Sequence, residues 1–471
     1  MIHHKSQAGY LVVLVLIFGG IFFIMLVSFM GFVLQQKIVQ DAQRNEERAL
    51  AIAEAGLNYY KWYLAHNPSD ITNGTGAPGP YTIAYNDPEG SAIGEYDLDI
   101  SSTEACGSIQ SIDITSTGRT YEDPDRERTI YARYAQPTVS EYAYIINSNV
   151  WAGSDRTIIG PYHSNGGVRM DGTNNSTVTS GLEDWTCTSS FGCSPNSTQD
   201  GVFGAGANSD LWIFPSTPIN FAGLTLDLAA MQTSATADGR YFGPSGDFGY
   251  LVEFLSNNTF NLSRVTGTQS YSAYSSSDGW HTERNVITGS TFLGNYSVPT
   301  DCPLIFIEDK VWLEGTLSTK VSLAAADVDT VGVDPSIVIN GDVIYSGDDA
   351  GLLALAEDDV LIGLEVPDDM DISGIFIAQD GRFGRNRYIA DGTFGLPSSL
   401  DQYVFRNSLT MHGTIVSNGR VGTKWSSGGT LVSGFNTRYN SYDRDLVEDP
   451  PPLTPQVSDS YQFIDWREEE S

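Results

Sequence analysis

The chain has 471 residues, more than one compact domain usually holds, and carries 58 Asp and Glu against 25 Lys and Arg, a net charge of −33. Lys5 gives residues 1–9 one positive charge, residues 35–66 are balanced, and 67–471 carry −34. A surface of that sign repels phosphate backbones, which argues against nucleic-acid binding, and it fits an extracytoplasmic protein.

In chain order, the first feature is an uncharged run from Tyr10 to Leu34. About 20 apolar residues span a bilayer core, so the run is long enough to cross with some tilt. A cleaved secretion signal has a shorter apolar core of roughly 7–15 residues and a small-residue cleavage site, and neither is present. The basic stub before it and the acidic mass after it place residues 1–9 in the cytoplasm and the bulk outside, as a single-pass membrane protein.

The apolar run continues without a break into QQKIVQDAQRNEERALAIAEAGLNYYKWYLAHNP. Ala53, Leu57, Tyr60 and Leu64 recur on one helical face, good helix formers dominate, and Pro68 ends the pattern. A continuous helix from Tyr10 to His66 would reach roughly 85 Å. Its first part, 10–34, suits lipid; its second, 35–66, is an amphipathic stalk suited to packing on a domain. Gly19, Gly20 and Gly31 would soften the helix or let neighbouring helices approach.

A short basic leader ending in Gly9, an aromatic Tyr10, an uncharged span, an amphipathic continuation and the stretch AEAGL (53–57) together resemble the N-terminus of type IV pilin-like proteins, in particular PilX-type minor pilins. The resemblance implies cleavage by a prepilin peptidase between Gly9 and Tyr10, N-methylation of Tyr10, and bundling of the helix with those of other pilin subunits after residence in the inner membrane. Major pilins carry Glu at the fifth mature position; here it is Leu14. In the family, that loss accompanies subunits at a filament tip or in minor positions.

Beyond the stalk, the turn-rich link at 67–79 leads to four β-rich segments at 80–86, 94–100, 109–118 and 127–135. They predict a small antiparallel sheet over 67–138 that covers the stalk's apolar face, the α+β head that the resemblance implies. Residues 139–445 have almost no helical pattern. A motif recurs there, SNGGV (164–168), INGDV (339–343), QDGRF (379–383) and SNGRV (417–421), with Gly160, Gly374 and Gly413 upstream of three of the four copies. Short strands with Asn/Asp-Gly corners predict an all-β solenoid, a β-helix, with a β-sandwich as the alternative. Residues 181–300, rich in Ser, Thr, Asn and aromatics, are read as an insertion. The Pro-rich tail 446–471, with Tyr461, Phe463 and Trp466, is read as a cap on the solenoid's apolar end.

Cys187 and Cys193 enclose CTSSFGC, a spacing suited to a local disulfide in an oxidising compartment; Cys106 and Cys302 either pair or stay free. His163, His281 and His412 have no partner at metal-binding spacing, and no hydrolase, phosphate-loop or dinucleotide motif is present. Three acidic pairs, Asp348–Asp349, Asp358–Asp359 and Asp368–Asp369, recur every ten residues. Paired carboxylates serve glycoside cleavage when about 5–10 Å apart, and oxygen-rich loops such as SGDDAG (346–351) suit a structural calcium ion; the alternative is solvated corners in an acidic protein. Tyr250, Tyr271, Tyr274 and Trp280 suit a surface carbohydrate or protein ligand, or a β core.

These features lead to a minor, tip or accessory, type IV pilin-like subunit. It assembles through its helix, displays a large acidic β domain for pilus assembly or adhesion, needs no cofactor and is not an enzyme. The alternatives are a pseudopilin of a secretion or DNA-uptake system and a membrane-anchored β-helix enzyme acting on polysaccharide.

Overall fold

A computed structural model describes residues 8–67, 70–224, 226–328, 332–390, 392, 395–458 and 460–469; residues 1–7 of the expected leader lie outside them. The chain divides into two compact units, Met1–Ser102 with Ile112–Tyr134 and Asp465–Ser471, and Thr103–Ser111 with Ala135–Ile464. The long N-terminal helix is followed by an α+β sheet and then a large β-rich region.

In the first unit, a single helix, α1, runs from Ala8 to His66. Its C-terminal half buries Ala49, Ile52, Ala53, Leu57, Tyr60 and Leu64, the face that the helical periodicity marks. They pack on strands β1 (Tyr81–Asn86), β2 (Ala92–Ala105), β3 (Ser108–Thr120) and β4 (Glu127–Ala135), hydrogen-bonded in that order. Alternation along the strands supplies the other half of this core: Tyr96 and Leu98, Ile112 and Ile114, Ile130 and Ala132 are buried. Each fully buried side chain of this size contributes roughly 1.5–3 kcal/mol.

Glycine sets how closely helix and sheet approach. A Cβ at Gly118 on β3 would lie 2.2 Å from the Ala49 carbonyl and 2.4 Å from the Ala53 nitrogen, and one at Gly56 of AEAGL would lie 2.3 Å from Ser116 Oγ. After the helix, Asp70 accepts hydrogen bonds from the Thr72 amide and hydroxyl, the Gly74 amide and the Tyr63 hydroxyl, which hold its carboxyl down at about 2.

The fifth strand of this sheet is Gln462–Glu469, next to β4. The terminal aromatic segment therefore completes the small sheet rather than capping the solenoid; the strand carries no apolar–polar alternation that would mark it in the sequence. Arg128 pairs with Glu468, and the Arg467 guanidinium lies over the Tyr131 ring.

The second unit is a parallel β-helix. Successive coils stack in register, so each position along a strand becomes a column along the axis. One inward column runs Ile305, Leu323, Ala354, Phe376, Ile415, Tyr144, Tyr162, Val178. The neighbouring outward column runs Phe306, Ala324, Leu355, Ile377, Val416, Ile145, His163. Gly374 and Gly413 are paired at one corner with positive φ (148° and 129°), and a Cβ at Gly413 would lie 2.0 Å from the Gly374 carbonyl oxygen. Three copies of the Asn/Asp-Gly motif stack at another corner. There Asn165 donates to Asn147 (2.8 Å), Asn147 to Asn418 (2.9 Å) and Asn418 to the Asp380 carbonyl (3.0 Å). The fourth copy, INGDV, lies within the strand Ile337–Tyr345 at a different bend.

Coil order does not follow chain order. Residues 240–441 climb the axis, and the strand pairs Ile415–Ser417 with Tyr144–Ile146 and Arg438–Ser441 with Arg156–Ile159 seat the coils of 144–213 beyond them. Residues 214–239 then return along the outside, where Phe221, Leu224, Met231 and Ala235 cover the apolar outward column. The segment read as an insertion, 181–300, thus divides into further coils with two-residue rungs (Val202–Phe203, Trp212–Ile213), this return strap, the strand Tyr250–Leu255, and a long hairpin, Thr259–Ser275 with Gly279–Ser297. Rungs that short carry no periodicity, so composition alone reads them as irregular.

Candidate functional site

Two surfaces stand out. The first is the N-terminal half of α1. From Tyr10 to Leu34 its large apolar side chains are exposed, Tyr10 at 79 % and Leu14 at 44 %, and the helix is long and apolar enough to cross a membrane. Gly9 and Tyr10, the residues flanking the expected processing point, both lie in its first turn. A Cβ at Gly19, Gly20 or Gly31 would meet nothing within 4 Å, so these glycines serve no packing within the chain and leave shallow notches on the helix surface.

The second is a cleft of about 770 Å³ in the β-helix unit. The hairpin residues 276–285 form one wall, and stacked corners carrying Asp334, Asp358, Asp359, Asp380 and Arg382 form the other. A buried network fixes the hairpin here. Glu283 accepts from the hydroxyls of Tyr271 (2.7 Å) and Tyr388 (2.9 Å) and from the Asn386 amide (2.6 Å), and Arg382 donates to Asn386. Burial next to Glu283 pushes both tyrosine hydroxyls far up, so they stay donors. With three donors on it, Glu283 acts as an anchor.

Of the three acidic pairs, only Asp358–Asp359 reaches the cleft. Asp359 accepts from the Arg382 amide (2.7 Å) and lies 4.0 Å from its guanidinium. Asp358 has its carboxyl pushed up to about 6, first by burial and then by Asp359, Asp334, Asp278 and Asp380. Asp348–Asp349 sits in an exposed turn, and Asp369 accepts from Asn407 and Ser408. The ten-residue recurrence does not gather the pairs because, among the coils of 304–441 that carry them, in-register positions are 18 to 39 residues apart, as in Leu304–Ser322 and Ile375–Thr414. Among the described residues no group of three or more His, Cys, Asp or Glu is placed to hold a metal, the SGDDAG loop included.

The histidines are scattered. His163, buried, bonds to Thr179 (2.7 Å) and Asn165 (2.9 Å) beside the return strap, and burial lowers its pKa. His281 lines the cleft and meets the Gly279 carbonyl at 3.1 Å. His412 lies 3.3 Å from Asp443, which raises its pKa. Tyr271 is buried, while Tyr274 and Trp280 pack together with ring centroids 5.5 Å apart. Cys187 pairs with Cys193, and Cys106 pairs with Cys302 across 196 residues.

No family model matches the chain, and no curated protein matches it. Among solved structures it is similar to the competence-associated pilin ComZ from Thermus thermophilus, at 13 % identity over 90 % of this chain and 97 % of that one, with a TM-score of 0.28. Similarity of that extent carries nothing about fold or role. What each surface can do rests on its own residues: α1 offers an uncharged helix surface to lipid or to other helices, and the cleft offers a proton-holding carboxyl beside hydrogen-bonding groups.

Proposed function

We propose that the chain is a minor type IV pilin-like subunit, processed between Gly9 and Tyr10. It is held in the inner membrane by α1 and then packed by that helix among other pilin subunits, with its acidic β-helix displayed at the surface for pilus assembly or adhesion. The carrying observation is the division of one unbroken helix, Ala8–His66, into an exposed apolar half and a half docked on its own sheet. A helix of this kind can leave lipid for a bundle of like helices without moving a charged side chain, because none lies between Tyr10 and Leu34. On this reading the role is structural and no turnover is expected. Mass spectrometry of the mature N-terminus tests it: methylated Tyr10 supports the proposal, and an intact leader on the membrane-bound protein rejects it.

A second reading, a membrane-tethered enzyme acting on polysaccharide, is favoured by one observation: Asp358 holds a proton to about pH 6 at the edge of a large cleft, as a general acid requires. Asp358→Asn should abolish any polysaccharide cleavage seen with the wild type; wild-type binding without cleavage would favour the pilin-like role.

A further inference from the structure

Inside the β-helix one column turns from apolar to cationic. It runs Met370, Leu409, Arg438, Arg156, each pairing in register with the next. Arg156 and Arg438 are thus direct neighbours, 2 % and 8 % exposed. Adjacent like charges repel, and buried ones need a partner. Arg438 has one: Asp155 accepts at 2.9 and 3.0 Å, and it also receives Lys424 at 3.4 Å. Arg156 has none. Among the described residues no carboxylate lies within 4.0 Å of its guanidinium, and its Nε lacks a hydrogen-bond partner.

The groups around Arg156 are orphaned too. The Tyr162 hydroxyl is buried without a hydrogen-bond partner, and the Tyr144 hydroxyl faces the Asn440 amide, neither of them with a well-aligned hydrogen bond. Tyr144 and Tyr162 are in-register neighbours with ring centroids 4.9 Å apart, and the Arg156 guanidinium carbon lies 5.1 Å from the Tyr144 ring. Asn440 pairs with Ile158, two residues along the strand from Arg156 and on the same inward side. Burial raises both tyrosines, opposed in part by Arg156, so each keeps its proton. The set therefore comprises two hydroxyl donors, an amide donor and a guanidinium. Three cations against one carboxylate is an unusual balance in a chain of net charge −33. A cation–π contact to one ring does not offset the cost of desolvating a whole guanidinium.

We infer that the interior of the β-helix holds a small monovalent inorganic anion, of the chloride or bromide class, between Arg156, Tyr144, Tyr162 and Asn440 at the junction of the two stacked coil segments. Such an ion neutralises Arg156 and takes the orphaned donors together.

Crystals of the full-length chain in detergent, grown with bromide as the only halide, test this. An anomalous bromine peak within hydrogen-bond distance of Arg156 and a tyrosine hydroxyl is expected. Its absence, with water density or no density there, overturns the inference. In solution, replacing gluconate by chloride at constant ionic strength should raise the melting temperature saturably, as ligand linkage requires, and Arg156→Met should abolish that rise. Identical melting of the wild type in the two anions counts against the site. If Arg156→Met does not fold, the bromide map on the wild type decides.

Discussion

Gly118 illustrates how one atom governs the docking of α1. The β3 backbone there meets the helix backbone at Ala49 and Ala53, with a prospective Cβ at 2.2 and 2.4 Å from main-chain atoms that no rotamer change can move. Gly118→Ala should therefore lower stability by about 1–3 kcal/mol, the usual range for overpacking, read as a fall in melting temperature. Gly118→Ser should be worse. Asp358 gives a pH signature. Its folded pKa, about 6, is raised above the ordinary value near 3.9, so its favourable contribution is complete below that ordinary value and is lost as pH rises through about 6. Melting temperature should decline over that window, and Asp358→Asn should flatten the decline. The side chain is partly solvated, so the effect is on the order of 1 kcal/mol or less. His412 acts in the same direction: stability from its pairing with Asp443 is present below its ordinary pKa and lost as pH rises through the raised one. Measuring the decline in an Asp358→Asn, His412→Gln double variant separates the two.

At the level of elements, the two disulfides constrain very different loops. Cys187–Cys193 closes six residues and Cys106–Cys302 closes 196. Chain-entropy arguments assign about 2 and about 5 kcal/mol respectively, so Cys302→Ser with Cys106→Ser should lower the melting temperature more than the Cys187, Cys193 double serine variant does. The elements were unequally legible in the sequence. The stalk face Ala53, Leu57, Tyr60, Leu64 was plain, because a long helix repeats its pattern many times. The corner glycines Gly160, Gly374 and Gly413 were visible, because only glycine tolerates their φ values of 111° to 148°. The acidic pairs divided: spacing along the chain says nothing about coil length, so two of three lie away from the cleft, Asp348–Asp349 in an exposed turn as the solvated-corner reading expects. Glu283, Tyr388 and Asn386, which build the cleft, carried no signal, since each is an isolated polar residue whose partners are brought in by the fold from up to 105 residues away. Arg156 and Arg438, separated by almost 300 positions, meet only through the inverted stacking order.

For the whole chain, the β-helix is one continuous ladder assembled from two stretches of sequence. Removing the coil residues after Gln402 would take away the rungs that pair with Tyr144–Ile146 and Arg156–Ile159. A chain ending there should leave 139–213 open to protease, while 304–378, whose rungs pair among themselves, stays resistant. Limited proteolysis followed by mass mapping checks this; equal resistance of the two stretches would contradict the stacking.

That stacking bears on biogenesis. A solenoid whose turns follow the order of synthesis can zip up as it emerges from a translocation pore. Here the stretch made earlier has its docking surface built from residues beyond 405, and must wait in an unpaired condition until nearly the entire polypeptide has been made. Under the role proposed above, export of the chain would leave a long interval with open strand edges, and the expected need is for a holding chaperone during that interval.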